Sequence, residues 1–231
     1  MVLITWFGHS AFLIKSSKGN ILIDPFLSEN PFSPVKPKDL TDIDLILVTH
    51  GHNDHIGDTV EIAQRTNAKV VSIYEIATYL SKFGIDTIGL NFGGRFEYKG
   101  IKVWLFPAIH SSTYLDDLGN MMPLGNPCSF VIEIDNRKIY HAGDTMVFKD
   151  MELIPKIVGN IDIALLPIGG RFVMDVDQAL LSLDLLKPKY AIPMHYNTWS
   201  IIKADPYYFK DKAKEKGVEV IILEPGKPYE F

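Results

Sequence analysis

The chain has 231 residues, 47% hydrophobic and 22% charged, proportions that exclude a disordered polymer. Its 23 Lys and Arg against 28 Asp and Glu leave a formal charge of −5, which argues against a protein held to nucleic acid by bulk charge. The single cysteine, Cys128, excludes an internal disulfide framework, a CxxC redox pair and a multi-cysteine zinc site.

In chain order, short apolar and β-branched runs predict strands over 2–7, 11–15 and 20–23, the last two joined by a turn at 16–20. Residues 26–38 hold three prolines and read as an irregular loop. Leu45-Ile46-Leu47-Val48 is wholly apolar, as a strand buried on both faces should be. Helices are predicted over 56–66 and 74–83, and strands over 69–73, 86–90, 95–98 and 101–106. Residues 111–127, rich in Gly, Pro, Asn and Met, read as a long loop. Strands over 129–134 and 137–141 flank a turn at Asp135-Asn136. Beyond them, helices over 147–158, 175–186 and 205–216 alternate with strands over 161–166, 190–193 and 218–223. Hairpins first and strand–helix alternation later fit two mixed β-sheets packed face to face with helices outside. No composition break marks a linker, so one domain over 1–231 is expected. The N-terminal segment lacks the features of a signal peptide, the C-terminal one lacks a lipidation motif, and no apolar run reaches the ~18 residues of a membrane span. The expected location is cytoplasmic, with no membrane contact.

Six of the seven histidines (His9, His50, His52, His55, His110 and His195) fall just past a predicted strand, and His141 closes one. Strand ends are where a rigid scaffold presents variable loops, and sites collect there. The densest group is Thr49-His50-Gly51-His52-Asn53-Asp54-His55. Side chains two apart in an extended stretch point the same way, so His50 and His52 can grip one ion. Asp54 and His55 fall at the entry to the predicted helix and can aim at a second point close by, with the small Gly51 keeping the turn open. Zinc accepts both imidazole and carboxylate at about 2.0–2.2 Å. The competing reading is an exposed polar loop with an Asp helix cap. His110, Asp144 and His195 are each ambiguous alone; their joint order, HxHxDH, then His, then Gly-Asp, then His, is what points to a metal centre.

At these residues the sequence resembles the metallo-β-lactamase superfamily. The segments Gly8-His9-Ser10, Leu22-Ile23-Asp24-Pro25, Thr49 to Asp58, Tyr140 to Thr145, Leu166-Pro167-Ile168-Gly169 and Pro193 to Thr198 resemble, within it, a family of metal-dependent hydrolases related to the ascorbate-phosphate lactonases. The resemblance runs from residue 1 to about residue 226. It implies a four-layer αβ/βα sandwich of the α+β or α/β class, with the site at one edge of the sheets. It also implies two divalent ions, one held by His50, His52 and His110, the other by Asp54, His55 and His195, with Asp144 bridging. His9 would be an extra ligand or a substrate contact, and Asp24 would support the ligands from behind. The family often has an Asp after Leu-Pro-Ile-Gly, where this chain has Gly170 and Arg171, and the segment 119–125 also departs from the pattern.

Two ions about 3.5–4 Å apart can share a water and lower its pKa from roughly 15.7 to around 7. Hydroxide would then attack a small ester, lactone or phosphodiester, with Asp54 or Asp144 orienting it and His9 stabilising the oxyanion or protonating the leaving group. Zinc is the expected metal, with manganese, iron or nickel compatible with the same donors. A redox diiron enzyme of the superfamily would carry HxExD, and His52 stands at the Glu position. The bound charge would suit a small, anionic substrate, with Arg171 a candidate partner and Tyr114, Tyr196 and Asn197 candidate pocket residues. Cys128 reads as a buried or loop residue. The alternatives are a nuclease of the same superfamily, which the acidic chain disfavours, and a non-catalytic metal-binding sensor or scaffold.

Overall fold

The computed structural model describes residues 1–231. Its first sheet contains β1 (Leu3–Trp6), β2 (Phe12–Ser16), β3 (Gly19–Ile23), β4 (Leu45–Leu47), β5 (Lys69–Ile73) and β6 (Thr87–Leu90). The second contains β7 (Arg95–Tyr98), β8 (Ile101–Pro107), β11 (Cys128–Ile134), β12 (Arg137–His141), β13 (Ile163–Pro167), β14 (Tyr190–Met194) and β15 (Glu219–Val220). A separate hairpin is formed by β9 (Thr113–Leu115) and β10 (Met121–Pro123), and β16 (Pro228–Glu230) returns to the first sheet. The strand orders are β16-β1-β2-β3-β4-β5-β6 and β15-β14-β13-β12-β11-β8-β7.

Each sheet is antiparallel on one side and parallel on the other. Strands β3 to β6 are parallel, and β1 is two antiparallel steps from β3, so it runs the same way. Likewise β12 to β15 are parallel, and β8, two antiparallel steps from β12, shares their direction. The loops after β1, β3, β4, β8, β12 and β14 therefore leave from the C-terminal edges of the two sheets. Those loops carry His9, Asp24, the HxHxDH segment, His110, Asp144 and His195. Backbone bonds join the sheets at that edge, with the His195 N–H donating to the His9 carbonyl and the Cys128 N–H to that of Thr49, both at 2.9 Å.

The apolar run at 45–47 and all of β13 are fully buried, as parallel strands covered on both faces must be. Burying each such Leu or Ile contributes about 1.5–3 kcal/mol, and one contiguous cluster of 64 buried residues spans both sheets. Helices α2 (Thr59–Thr66) and α3 (Tyr74–Ser81) pack on the first sheet; α5 (Val176–Leu186) and α6 (Pro206–Glu215) pack on the second. Asp175 and Asp205 start α5 and α6 by accepting from backbone N–H groups of the first turn. No helix is long and apolar enough to cross a membrane.

Several expectations are corrected. The helix expected over 56–66 is two pieces, a single turn α1 (Asn53–Ile56) and α2. The break is Gly57, with φ of 38° and no room for a Cβ, which would lie 2.4 Å from the Pro25 carbonyl oxygen. Asp54 and His55 therefore lie on α1 itself rather than at the entry to a longer helix. The 111–127 loop contains the β9–β10 hairpin. The 147–158 helix is a 3₁₀ turn at Lys149–Glu152 followed by α4 (Leu153–Val158), and the strand over 218–223 shortens to two residues. The expected turn at Asp135-Asn136 forms with φ of 49° and 61°, the left-handed pair that tight hairpins require.

Candidate metal centre

The HxHxDH segment changes backbone state part-way, and that change separates its side chains. His50 is buried just past β4, His52 has extended dihedrals at the start of α1, and Asp54 and His55 ride the single turn. His50 Nε2 and His52 Nδ1 stand 3.0 Å apart. The His110 ring joins them, its centroid 5.2 Å from that of His50 and 5.0 Å from that of His52. The donor atoms of His50, His52 and His110 lie within 4.8 Å of one another, as do those of His9, Asp54, His55 and His195. Asp144 reaches both groups. Its Oδ2 is 3.0 Å from His195 Nε2, 3.6 Å from His110 Nε2 and 4.0 Å from His50 Nε2, and its Oδ1 is 3.2 Å from His55 Nε2.

The structure thus places all seven expected ligands, His50, His52, Asp54, His55, His110, Asp144 and His195, at one point, and puts His9 inside the second group. His9 Nε2 lies 3.1 Å from Asp54 Oδ2, and its ring is 3.9 Å from that of His195, centroid to centroid. His141 stands apart: its Nε2 donates to the Ser10 carbonyl and its Nδ1 accepts from the Gly143 N–H, both at 3.1 Å, so neither nitrogen is free.

Asp24 orders the donors from below. Its Oδ1 accepts from the Thr49 N–H (2.8 Å); its Oδ2 accepts from the Thr49 hydroxyl (2.7 Å) and from His55 Nδ1 (2.8 Å). Thr49 has one hydroxyl proton and gives it to Asp24. His50 Nδ1, 3.0 Å from the Thr49 oxygen, must then donate to it. One carboxylate so fixes the protonated nitrogen of His55 directly and of His50 through Thr49, and turns the Nε2 atom of both toward the site. Behind His9, the Thr198 hydroxyl lies 2.8 Å from Nδ1. Sequence reasoning assigns Thr49 and Thr198 no role; adjacency to His50 is the available signal for Thr49. Three non-glycine residues here, His9, Asp24 and His195, hold φ of 54°, 42° and 52°. Each costs roughly 1–2 kcal/mol of backbone strain, and such strain persists where the surroundings over-determine the conformation.

Charge and burial are set against each other. Burial, then the neighbouring His55, hold His50 well below the imidazole range. Burial also lowers His52 and His110. Burial and His195 push His9 down to about 4. Burial alone would raise Asp54, but His55 and His9 more than offset it and hold the carboxyl below its usual range. Asp144 is also lowered, His195 and His55 overcoming the burial. His55 is the exception: burial opposes its charge, yet Asp144, Asp24 and Asp54 raise it well above the usual value.

The donor set fits divalent cations. Only nitrogen and oxygen ligands converge, Asp24 turns the Nε2 atoms of His50 and His55 toward the site, and His55 Nε2, Asp144 Oδ1 and His195 Nδ1 are buried without an aligned hydrogen bond. His55 Nε2 and Asp144 Oδ1 are close enough for charge attraction but misaligned for hydrogen bonding. The site opens into a cavity of about 260 Å³ whose walls include His52, His110, Ser111 and Phe172. A larger groove of about 480 Å³, between Lys210, Lys214 and Glu219, lies away from every histidine.

Other expectations resolve differently. Gly51 serves close packing rather than an open turn, since a Cβ there would meet Leu124 Cβ at 2.9 Å. Asn53 clamps the β9–β10 hairpin by donating to the Leu115 carbonyl (2.8 Å) and accepting its N–H (3.1 Å). Tyr196 stacks on Trp6, Tyr114 packs toward Tyr79, and Asn197 accepts from the Ala204 N–H. Arg171 is exposed and its guanidinium lies 5.9 Å from the Phe172 ring. Cys128, as expected, is buried, in β11.

Known proteins share this arrangement of sequence and fold. The beta-lactamase superfamily domain matches residues 19–196. A UPF0173 metal-dependent hydrolase of Nanoarchaeum equitans is 58% identical over 220 residues, covering 95% of each chain. One from Thermococcus onnurineus is 53% identical over 233 residues, covering 100% of both. Among solved structures, Igni18, a metallo hydrolase from the hyperthermophilic archaeon Ignicoccus hospitalis, superposes with a TM-score of 0.89 at 42% identity, covering 100% of this chain and 99% of that one. The chain belongs to the beta-lactamase superfamily and, within it, to the UPF0173 metal-dependent hydrolases.

Proposed function

We propose that the chain hydrolyses a small ester, lactone or phosphodiester at a dinuclear centre, with His50, His52 and His110 holding one ion, Asp54, His55 and His195 the other, and Asp144 between them. The observation that carries this reading is the position of Asp144, whose two oxygens lie 3.0–4.0 Å from imidazole nitrogens of both groups. Imidazole and carboxylate donors suit zinc first, with manganese, iron and nickel compatible. Bound divalent ions supply Lewis acidity, polarising the attacked oxygen and acidifying water.

The chain's own residues supply position and protons. Asp54 and Asp144, both held ionised, offer carboxylate oxygens that orient a water by accepting its proton. His9 carries its proton on Nε2 toward Asp54, with Thr198 donating to Nδ1, and that Nε2–H is placed to reach a leaving group or a developing oxyanion. The cavity wall contains neither Lys nor Arg, which leaves a nuclease reading without a cationic track for a phosphate backbone.

A chromogenic ester and a chromogenic phosphodiester offered to the metal-loaded protein test the proposal. Hydrolysis of at least one is expected, abolished by a chelator, restored by added metal, and lowered at least about 100-fold in His52→Ala, beyond the loss usual for groups behind the ligands. Turnover indifferent to both the chelator and His52→Ala would contradict it.

A further inference from the structure

Exposed apolar side chains stand on and beside the cavity wall. Phe172 shares the cavity wall with His52, Asp54, His110, Asp144 and His195, and the residue is 52% exposed. Ile109 and Met146, each 48% exposed, sit beside His110 and just past Asp144. Backbone bonds fix the three loops together. The Met146 N–H donates to the Ile109 carbonyl (3.2 Å), the Ile109 N–H to the Thr145 hydroxyl (3.0 Å), and the Met174 N–H to the Thr145 carbonyl (2.9 Å). Across the site, Trp199 lies against His9, ring centroids 4.9 Å apart, and is 39% exposed. Apolar side chains left in water around a converging set of polar donors are the composition of a small-molecule pocket. The cavity of about 260 Å³ falls just below the usual 300–1,000 Å³ range, which limits the occupant to a small group. Beyond the inferred ligands, the only polar side chain on its wall is Ser111; Arg171 stands outside the wall, exposed, with its guanidinium 5.9 Å from the Phe172 ring.

We propose that the substrate is an uncharged carboxylic ester or lactone whose short, apolar acyl arm lies against Phe172. This rests on the hydrolase reading above and narrows it, setting phosphodiesters and carboxylate-bearing esters aside. In the reaction, water oxygen bonds to the acyl carbon and the acyl C–O bond breaks. The departing alkoxide takes a water proton, giving an alcohol and a carboxylic acid, joined in one molecule when the substrate is a lactone. Phe172 acts as a specificity residue, because burying each methylene against it removes apolar surface from water.

The test uses the zinc-loaded full chain and the p-nitrophenyl esters of acetate, butyrate, hexanoate, 3-ethoxypropanoate and hemi-glutarate, with bis(p-nitrophenyl) phosphate beside them. The value of kcat/KM should rise about twofold to fourfold per methylene from acetate to hexanoate. The ether analogue, with the same chain length, should fall well below hexanoate. Phe172→Ala should flatten the ladder, losing at least about tenfold more on hexanoate than on acetate, and Phe172→Leu should retain most of the slope. A preference for hemi-glutarate or the phosphodiester, or an unchanged slope in Phe172→Ala, would overturn the proposal while leaving the hydrolase reading intact. Binding separates the two claims in the other direction. Ligand-observed NMR with hexanamide and 3-ethoxypropanamide needs no turnover. Tighter binding of hexanamide, weakened in Phe172→Ala, supports the apolar arm even if every ester is inert, and equal binding of the pair overturns it.

Discussion

Asp144→Asn is expected to leave a folded protein and to lower kcat/KM by at least about 1,000-fold, against the roughly 10–100-fold typical of groups one layer further from a metal. The side chain is nearly isosteric, so the core around it keeps its shape. What changes is charge and hydrogen-bonding sense. The carboxylate is the one group within 4.0 Å of His50, His55, His110 and His195 together. Asparagine withdraws that negative charge from between four imidazoles and turns an N–H₂ donor toward nitrogens that must present lone pairs to a cation. Steady-state kinetics of the metal-loaded variant, paired with thermal melting to show that it folds, measures the effect. A variant within tenfold of the wild type would remove Asp144 from the centre.

Asp24→Ala strikes from the opposite side of the same imidazoles. Asp24 is fully buried and accepts from the Thr49 N–H, the Thr49 hydroxyl and His55 Nδ1. Its removal orphans buried donors and leaves the His55 charge without one of its carboxylates, a loss of about 3–5 kcal/mol for a broken buried ion pair. It also frees the ring protons that the Asp24–Thr49 pair keeps on Nδ1, so metal affinity should fall about 10–100-fold. Urea unfolding of the metal-free protein reads the first effect and a metal titration reads the second. Asp24→Asn, which keeps the shape, should recover part of the stability and little of the affinity, because its amide N–H₂ faces a nitrogen that already carries a proton. A stability loss under about 1 kcal/mol, less than is typical for one unsatisfied buried donor, would contradict the role assigned to Asp24.

The donors could be read from the chain because each lies at the end of an apolar strand, and strand ends are marked by local composition. The strand at 45–48 and the segments around His110, Asp144 and His195 are of this kind. The two spatial groups of His50, His52, His110 and of Asp54, His55, His195 follow the grouping expected from family resemblance. What escaped depends on contacts distant in sequence. The break at Gly57 is imposed by the Pro25 carbonyl, and the hairpin within 111–127 is held by Asn53, 62 residues from Leu115. The final strand, β16, exists because β1 offers it an edge. The Thr198 hydroxyl against His9 Nδ1 comes from 189 residues away, a contact no local pattern announces. Arg171 is the residue the sequence offers as a partner for an anionic substrate; the cavity wall, built from five separate loops, carries its neighbour Phe172.

The formal charge of −5 and the single cysteine bound the problem, and the metal content decides it. Elemental analysis of the purified chain, loaded with zinc and freed of excess by gel filtration, tests the dinuclear centre most directly. The account predicts about two zinc ions per chain, lost to a chelator together with hydrolytic activity. A ratio that stays near zero under loading conditions would contradict it.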